Sequence, residues 1–447
     1  MIGGEKGMKK IVSVVLVLMT VLLMLTACKS SGTNTAANKQ ITLTMTHFYT
    51  KEEMKSSDES TLFHKMIDQF QKDNPNIKLD ITEMTQDNYA TKIQAQATAN
   101  DAPDVFLLKG SWTTTFVDNK IVAPLDSFID SSGAKDKYRN GIFKAATRNN
   151  KIYGSPVQFA VTSLIFYNQD MWKSIGYDTF PNNWNDILAA IPKFKAKDIT
   201  PFALGNKDKW PYESCILSSM GDRFTGTDWT NNIIDKNGKS KFTDPEFIKS
   251  LDFSQKMAKA GIFNPDFNAI QNNQADTYYC QGKAASTFEG YWDVAYIQTN
   301  ATKEILKATK IAVLPPVDGG KGDANSTSGG CGWYLSANGN LNGEKLAAAG
   351  KLIMALTGEK YSKDLAIQYG QIGAVNVGDV DTSKFPQLTQ DYVKLMNSVK
   401  MTPIYDIQME GSVIDTLNTG LQELLNGTTT PAALAAKIQA EQDKLAK

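Results

Sequence analysis

The chain has 447 residues, of which 42% are hydrophobic and 21% charged, the balance of a globular protein. Its 47 basic and 47 acidic residues cancel, and no basic stripe suited to a phosphate polymer is present, so nucleic acid is not expected as a partner. Two histidines, His47 and His64, are too few and too far apart for triad or His-rich metal chemistry, and neither metal nor cofactor is expected. Cys215, Cys280 and Cys331 lack C-x-x-C spacing, so a zinc site or a disulfide framework is not indicated. At most one pair can bridge, and buried small side chains are their expected role.

The N-terminus carries an address. Met8, Lys9 and Lys10 form a short basic segment, residues 11–25 are almost wholly apolar, and residues 25–28 (LTAC) end the run in small side chains. This predicts an export signal over residues 1–27, with Met1 or Met8 as the start. This stretch of 15 residues falls short of the ~20 that a membrane-spanning helix needs. The LTAC ending resembles the bacterial lipoprotein box, which implies a diacylglycerol on the sulfur of Cys28 and a protein held at the outer face of the cell membrane. Residues 28–40 are small and polar, the composition of a flexible tether. The 420 residues after position 27 suggest two or three domains, and they contain no second long apolar run.

The folded body reads as alternating strands and helices. Residues 41–46 (ITLTMT) alternate as a strand, Leu62, Phe63, Met66, Ile67 and Phe70 recur at helical spacing until Asn74, and residues 77–81 form another strand. His64 falls on that helix and is expected at its surface. Residues 89–97 are helical and residues 104–108 (DVFLL) are a buried strand, an order that predicts a parallel sheet with helices on both faces. Ligands in such sheets sit beyond the carboxyl ends of strands, here the loops carrying Phe48 and Tyr49, Glu83, and Trp112.

A second α/β unit follows. Residues 151–157 and 164–167 read as strands, residues 184–194 as a helix interrupted at Pro192, and residues 201–204 as the start of another strand. The Asn-Gly pair within residues 235–240 suits a type I′ hairpin turn, and Ser240 at the sixth place disfavours a calcium loop. Residues 311–314 form a strand, residues 319–332 a glycine-rich connector without phosphate-loop order, and residues 346–357, 417–425 and 432–445 are helices.

Several segments, in order, carry a resemblance. They are residues 102–105 (APDV), 122–126 (VAPLD), 151–156 (KIYGSP) with 167–170 (YNQD), 199–202 (ITPF), and 281–285 (QGKAA) with 290–292 (GYW). Together with the LTAC box they resemble the family 1 extracellular solute-binding proteins, the sugar-binding lipoproteins of ABC importers. Asn150, Asn183 and Cys280 depart from the family's usual residues. The resemblance implies a type II periplasmic-binding-protein-like fold: two α/β lobes, each a mainly parallel sheet flanked by helices, with a hinge crossed three times. The implied lobes are residues 41–159 with 331–371, and residues 160–330 with 372–447; the crossings fall near Phe159, residues 319–330 and residues 370–373. It further implies a monomeric receptor, not an enzyme, which gives its cargo to an ABC permease.

Sugar rings offer an apolar C–H face and a rim of hydroxyls, so a receptor needs aromatic plates flanked by amides or carboxylates. Phe48, Tyr49, Trp112, Trp210, Tyr212, Tyr291, Trp292 and Trp333 can supply plates, and Glu83, Gln158 and Glu289 can bind hydroxyls. The resemblance favours Trp112, Glu289 and Trp292; Trp172, Trp184 and Trp229 are expected in the core. Besides a structural surface protein without a ligand, two alternatives stay open. One is a surface glycoside hydrolase with Glu83 and Glu289 as acid and base. The other is the same fold with a polyamine, metal chelate, phosphate ester or peptide as cargo, although the motif loops show only Lys51 and Lys109 as cations for an anionic guest.

Overall fold

The computed structural model describes residues 40–445. The export signal, Cys28 and the tether lie outside the described residues. Three strands open the fold, β1 (Ile41–His47), β2 (Ile77–Glu83) and β3 (Val105–Lys109). A hairpin of β4 (Thr147–Arg148) and β5 (Lys151–Ile152) precedes β6 (Ser155–Pro156), β7 (Ala160–Thr162) and β8 (Leu164–Asn168). Then come β9 (Thr200–Ala203), β10 (Ala284–Glu289), β11 (Thr309–Val313), β12 (Ser326–Gly330), β13 (Trp333–Ala337) and β14 (Lys400–Thr402).

They form two main sheets. The first has the order β2-β1-β3-β13-β6, the second β11-β8-β10-β9. Parallel pairing holds for β2-β1-β3 and for β9-β10, while β13 runs antiparallel to β3 and β6, and β8 antiparallel to β10 and β11. The sheets are therefore mixed, because the chain inserts returning strands beside the parallel ones. A third sheet, β14-β12-β7, joins the two: β7 carries the chain from β6 to β8, and β12 carries it from β11 back to β13. The third crossing runs from the helix Glu359–Tyr369 to β14.

Each lobe has its own apolar core. In the first, Leu43 and Met45 of β1 point inward between exposed Thr42 and Thr44, and Val105, Phe106, Leu107 and Leu108 of the central β3 are all buried. The helix Asp58–Asp73, capped by Ser57 Oγ accepting from Ser60 N, lays Phe63, Ile67 and Phe70 on this core. In the second, Trp172, Phe202 and Phe288 pack with Leu417 and Leu421 of the helix Gly411–Leu425 and with Leu434 and Ile438 of Pro431–Lys444. Cys215, Cys280 and Cys331 are free and buried. Among the described residues, no helix is long and apolar enough to cross a membrane.

Several local expectations are corrected. His64 is buried, because the loop after β1 folds over the helix: Nε2 lies 2.9 Å from the Tyr49 carbonyl and 3.8 Å from Glu83 Oε2. The helix Trp184–Lys195 runs through Pro192, which removes one N–H yet keeps the helical φ. Residues 235–240 turn between the helices Thr227–Ile234 and Pro245–Ala260, so no hairpin forms there. Residues 151–157 break into β5 and β6, and Ser326–Gly330 of the expected connector form the strand β12. Its small residues suit a crowded place: a Cβ on Gly329 would lie 2.7 Å from Met401 Sδ.

Past Phe106, β1 no longer pairs with β3, and a side chain takes over the ladder. The buried Tyr89 hydroxyl donates to the Leu107 carbonyl (2.7 Å) and accepts from Leu107 N (2.6 Å). Tyr89→Phe leaves both backbone groups unpartnered and should cost about 1–3 kcal/mol in urea denaturation, without altering the far-ultraviolet spectrum of the folded state.

Candidate ligand-binding cleft

A cleft of about 250 Å³ opens between the lobes. Its first-lobe wall holds Gln86, Lys109, Gln158 and Trp333; its second-lobe wall holds Trp210, Ser214, Asn272 and Trp292; Thr162, Ile404 and Asp406 close it from the crossing region. Three indoles thus share one cavity, each fixed by a different device.

Trp333, the first residue of β13, is held by aromatic edges. Its ring centroid lies 4.9 Å from Phe48, 5.8 Å from Tyr89 and 5.3 Å from Trp112, with interplanar angles of 71°, 75° and 88°. Trp292 is held by a hydrogen bond: Nε1 donates to Glu289 Oε2 at 2.9 Å, the same oxygen that accepts from Gly290 N at 3.3 Å. Burial pushes the Glu289 carboxyl up to about 7, against the hydrogen bonds of Asp276, Trp292, Asn272 and Gly290.

Trp210 is held by the backbone. Lys209 adopts φ 70° and ψ −41°, and Trp210 N donates to the Asp208 carbonyl at 2.9 Å, which makes a three-residue turn of the rare, strained kind. The short helix Trp210–Tyr212 then runs into a π-helical turn, Glu213–Leu217, which brings Ser214 to the cleft. Single π turns recur at functional sites. Trp210 and Trp292 meet edge to face, 5.8 Å apart at 71°.

Polar groups surround the plates. Gln158 Oε1 accepts from the Tyr49 hydroxyl at 3.0 Å, which turns its NH2 to the cleft. Lys109 Nζ sits 2.8 Å from Asp406 Oδ2 and 5.9 Å from the Trp333 ring centroid, so the cation in the lining is already paired.

The profile of the bacterial extracellular solute-binding protein family matches residues 55–363. The chain belongs to that family. An uncharacterized ABC transporter extracellular-binding protein of Pyrococcus horikoshii is 27% identical over 250 residues, 55% of this chain and 55% of its own. The multiple sugar-binding protein of Streptococcus mutans is 25% identical over 293 residues, 63% of this chain and 64% of its own. The matches thus span little more than half the length of these curated relatives. A protein solved in work on xylan utilization by the thermophilic bacterium Caldanaerobius polysaccharolyticus superposes with a TM-score of 0.77 at 29% identity, covering 90% of this chain and all (100%) of that one. A chitin oligosaccharide binding protein gives 0.79 at 22% identity, over 91% and 98% of the two chains, and shares the fold. The family is one of solute-binding proteins.

Of the residues singled out from the sequence, Gln158, Trp210, Trp292 and Trp333 line the cleft. Phe48, Tyr49 and Trp112 stand behind it: Trp112 stacks on Phe116 at 5.8 Å and 20° and presents its edge to Trp333. Glu289 and Tyr291 back Trp292, with Tyr291 at 5.5 Å and 72°. Tyr212 is fully buried against Phe263, on the core side of its short helix. Glu83 ends β2, where it accepts from Lys51 N and faces Lys51 and His64. Gln86, Thr162, Ser214, Asn272 and Asp406 carry no motif that marks them in sequence; a polar run at residues 271–274 is the one hint for Asn272.

Next to Gln86, Asp87 is raised to about 6, first by burial and then by the carboxylate of Asp208 on the second-lobe wall. A carboxyl raised above its ordinary value of 3.8 burdens the folded state only where it must ionise. The penalty is absent below about pH 4, grows as pH rises and is complete above about pH 6. Asp87→Asn should therefore melt at a higher temperature than the parent at pH 7 and coincide with it near pH 4, in melting curves taken across that range.

Proposed function

We propose that this chain is an extracytoplasmic receptor that captures a carbohydrate, a short oligosaccharide, between its lobes and hands it to the permease of an ABC transporter. The observation that carries this reading is the convergence of Trp210, Trp292 and Trp333 on one cavity, with Gln86, Gln158 and Asn272 among them. Indole faces cover the C–H side of a sugar ring while amides reach its hydroxyl rim. The cavity of about 250 Å³ favours a small saccharide. The names of the sugar-binding relatives support the same cargo, and the ABC transporter relative supports the delivery role.

The rival readings find less support. A hydrolase would need Glu83 and Glu289 as a facing pair, but Glu83 ends β2 of the first sheet beside Lys51, and Glu289 ends β10 of the second, buried behind Trp292. An anionic cargo would need a free cation, and Lys109 is engaged by Asp406. The receptor reading includes a monomer, lobes of residues 41–159 with 331–371 and 160–330 with 372–447, an export signal over residues 1–27, and a lipid anchor on Cys28. Closure of the lobes on the cargo hides it and creates the surface that the permease reads.

A thermal-shift panel of mono- and oligosaccharides tests the reading. The cognate sugar at a hundredfold excess over Kd should stabilise the protein by ~2.7 kcal/mol. Trp292→Ala and Trp210→Ala should each weaken binding at least about tenfold, the ~1.4 kcal/mol or more expected of a lost aromatic plate. Trp112→Ala, which only loosens Trp333, should weaken it less. The reading fails if no saccharide shifts the parent, or if both plate variants bind as the parent does.

A further inference from the structure

Behind Trp292 lies a group of side chains that sugar binding does not use. Asp276 of the helix Asn272–Cys280, Glu289 at the end of β10 and Asp293 at the start of the helix Asp293–Asn300 each bring a carboxylate oxygen within 4.8 Å of the others. They are 5%, 1% and 1% exposed, and among the described residues none of them enters an ion pair. Burying one carboxylate without a counter-charge already costs several kcal/mol, so three together need a cation or protons.

Hydrogen bonding separates these two solutions. Both oxygens of Asp293, Oδ1 of Asp276 and Oδ1 of the neighbouring Asn272 are buried without a protein partner. A proton shared between Asp276 and Glu289 would cancel part of the charge, yet both oxygens of Asp293 stand outside that hydrogen bond. A cation answers both needs, because each lone carboxylate oxygen becomes a ligand.

We propose that Asp276, Glu289 and Asp293 hold a calcium ion, with Asn272 Oδ1 as a further donor. The donor set is oxygen alone, which selects a hard cation over zinc or copper. Oxygens on opposite sides of calcium stand up to ~5 Å apart, given bonds of about 2.3–2.6 Å, and the 4.8 Å spread of the carboxylates fits that span. The site couples to the cleft through Glu289, whose Oε2 also holds Trp292 Nε1 and Gly290 N. The ion thereby fixes the orientation of the plate in front of it, whatever the cargo.

The test uses the full soluble body stripped with EDTA and titrated with calcium by calorimetry, with terbium luminescence as a second reading. One equivalent should bind, the melting temperature should rise with calcium and fall with EDTA, and terbium should light up on tryptophan excitation because Trp292 adjoins its ligand Glu289. Asp293→Asn and, independently, Asp276→Asn should each lower the calcium affinity at least tenfold. Trp292→Phe should quench the sensitised emission while calcium still binds. Absence of calcium binding at millimolar concentration, or binding that survives both carboxylate variants, overturns the proposal and leaves a cluster neutralised by shared protons and water.

Discussion

The cleft depends on flat rings held in fixed orientation between two lobes, and that constraint shapes most of what surrounds it. An indole left free would spend binding energy on its own ordering. Each of the three is therefore tied down by the means its element offers. Trp333 sits among the edges of Phe48, Tyr89 and Trp112, Trp292 hangs on the carboxylate of Glu289, and Trp210 follows a strained turn at Lys209. Two of these solutions are costly, since a carboxylate is buried in one and a non-glycine residue has a positive φ in the other. Such costs persist where the surrounding fold over-determines them.

The crossing region has to hold the two lobes together. Its central strand, β12, is built of small residues and threads between β14 and β7. Arg223, 1% exposed, grips its start, donating to the Ser326 hydroxyl and carbonyl and to the Leu314 carbonyl. Thr327 Oγ1 donates to the Thr162 carbonyl on the neighbouring strand. Hydrogen bonds anchor the strand at both sides, and its small side chains let it fit between close neighbours.

Legibility in the sequence follows the range of the forces involved. Periodicity marks what is local, so β1, β3 and the helix Asp58–Asp73 are readable from alternation and from Leu62, Phe63, Ile67 and Phe70 alone. Strand pairing across hundreds of residues leaves no such trace: β13 beside β3 turns an expected parallel sheet into a mixed one, and β12 looks like a loop because a strand squeezed between neighbours needs glycine and serine. The same limit applies in the cleft. Trp210, Trp292 and Trp333 stand out as rare aromatic residues, whereas Asp406 and Ser214 reach the cavity only through tertiary placement. Trp112 and Tyr212 show the converse, since an aromatic in a promising loop is as readily buttress or core as it is plate.

The π-helical turn Glu213–Leu217 gives the second wall an unusual evolutionary lever. Such a turn amounts to one residue inserted into an α-helix, and each residue of an α-helix advances the chain by about 100°. Deleting a single codon there would restore the regular register and swing the segment carrying Trp210 and Ser214 around the helix axis, away from the cavity, while the core beyond Ser218 stayed in place. The placement of Trp210 and Ser214 thus depends on the length of one turn, independently of the residues on the opposite wall.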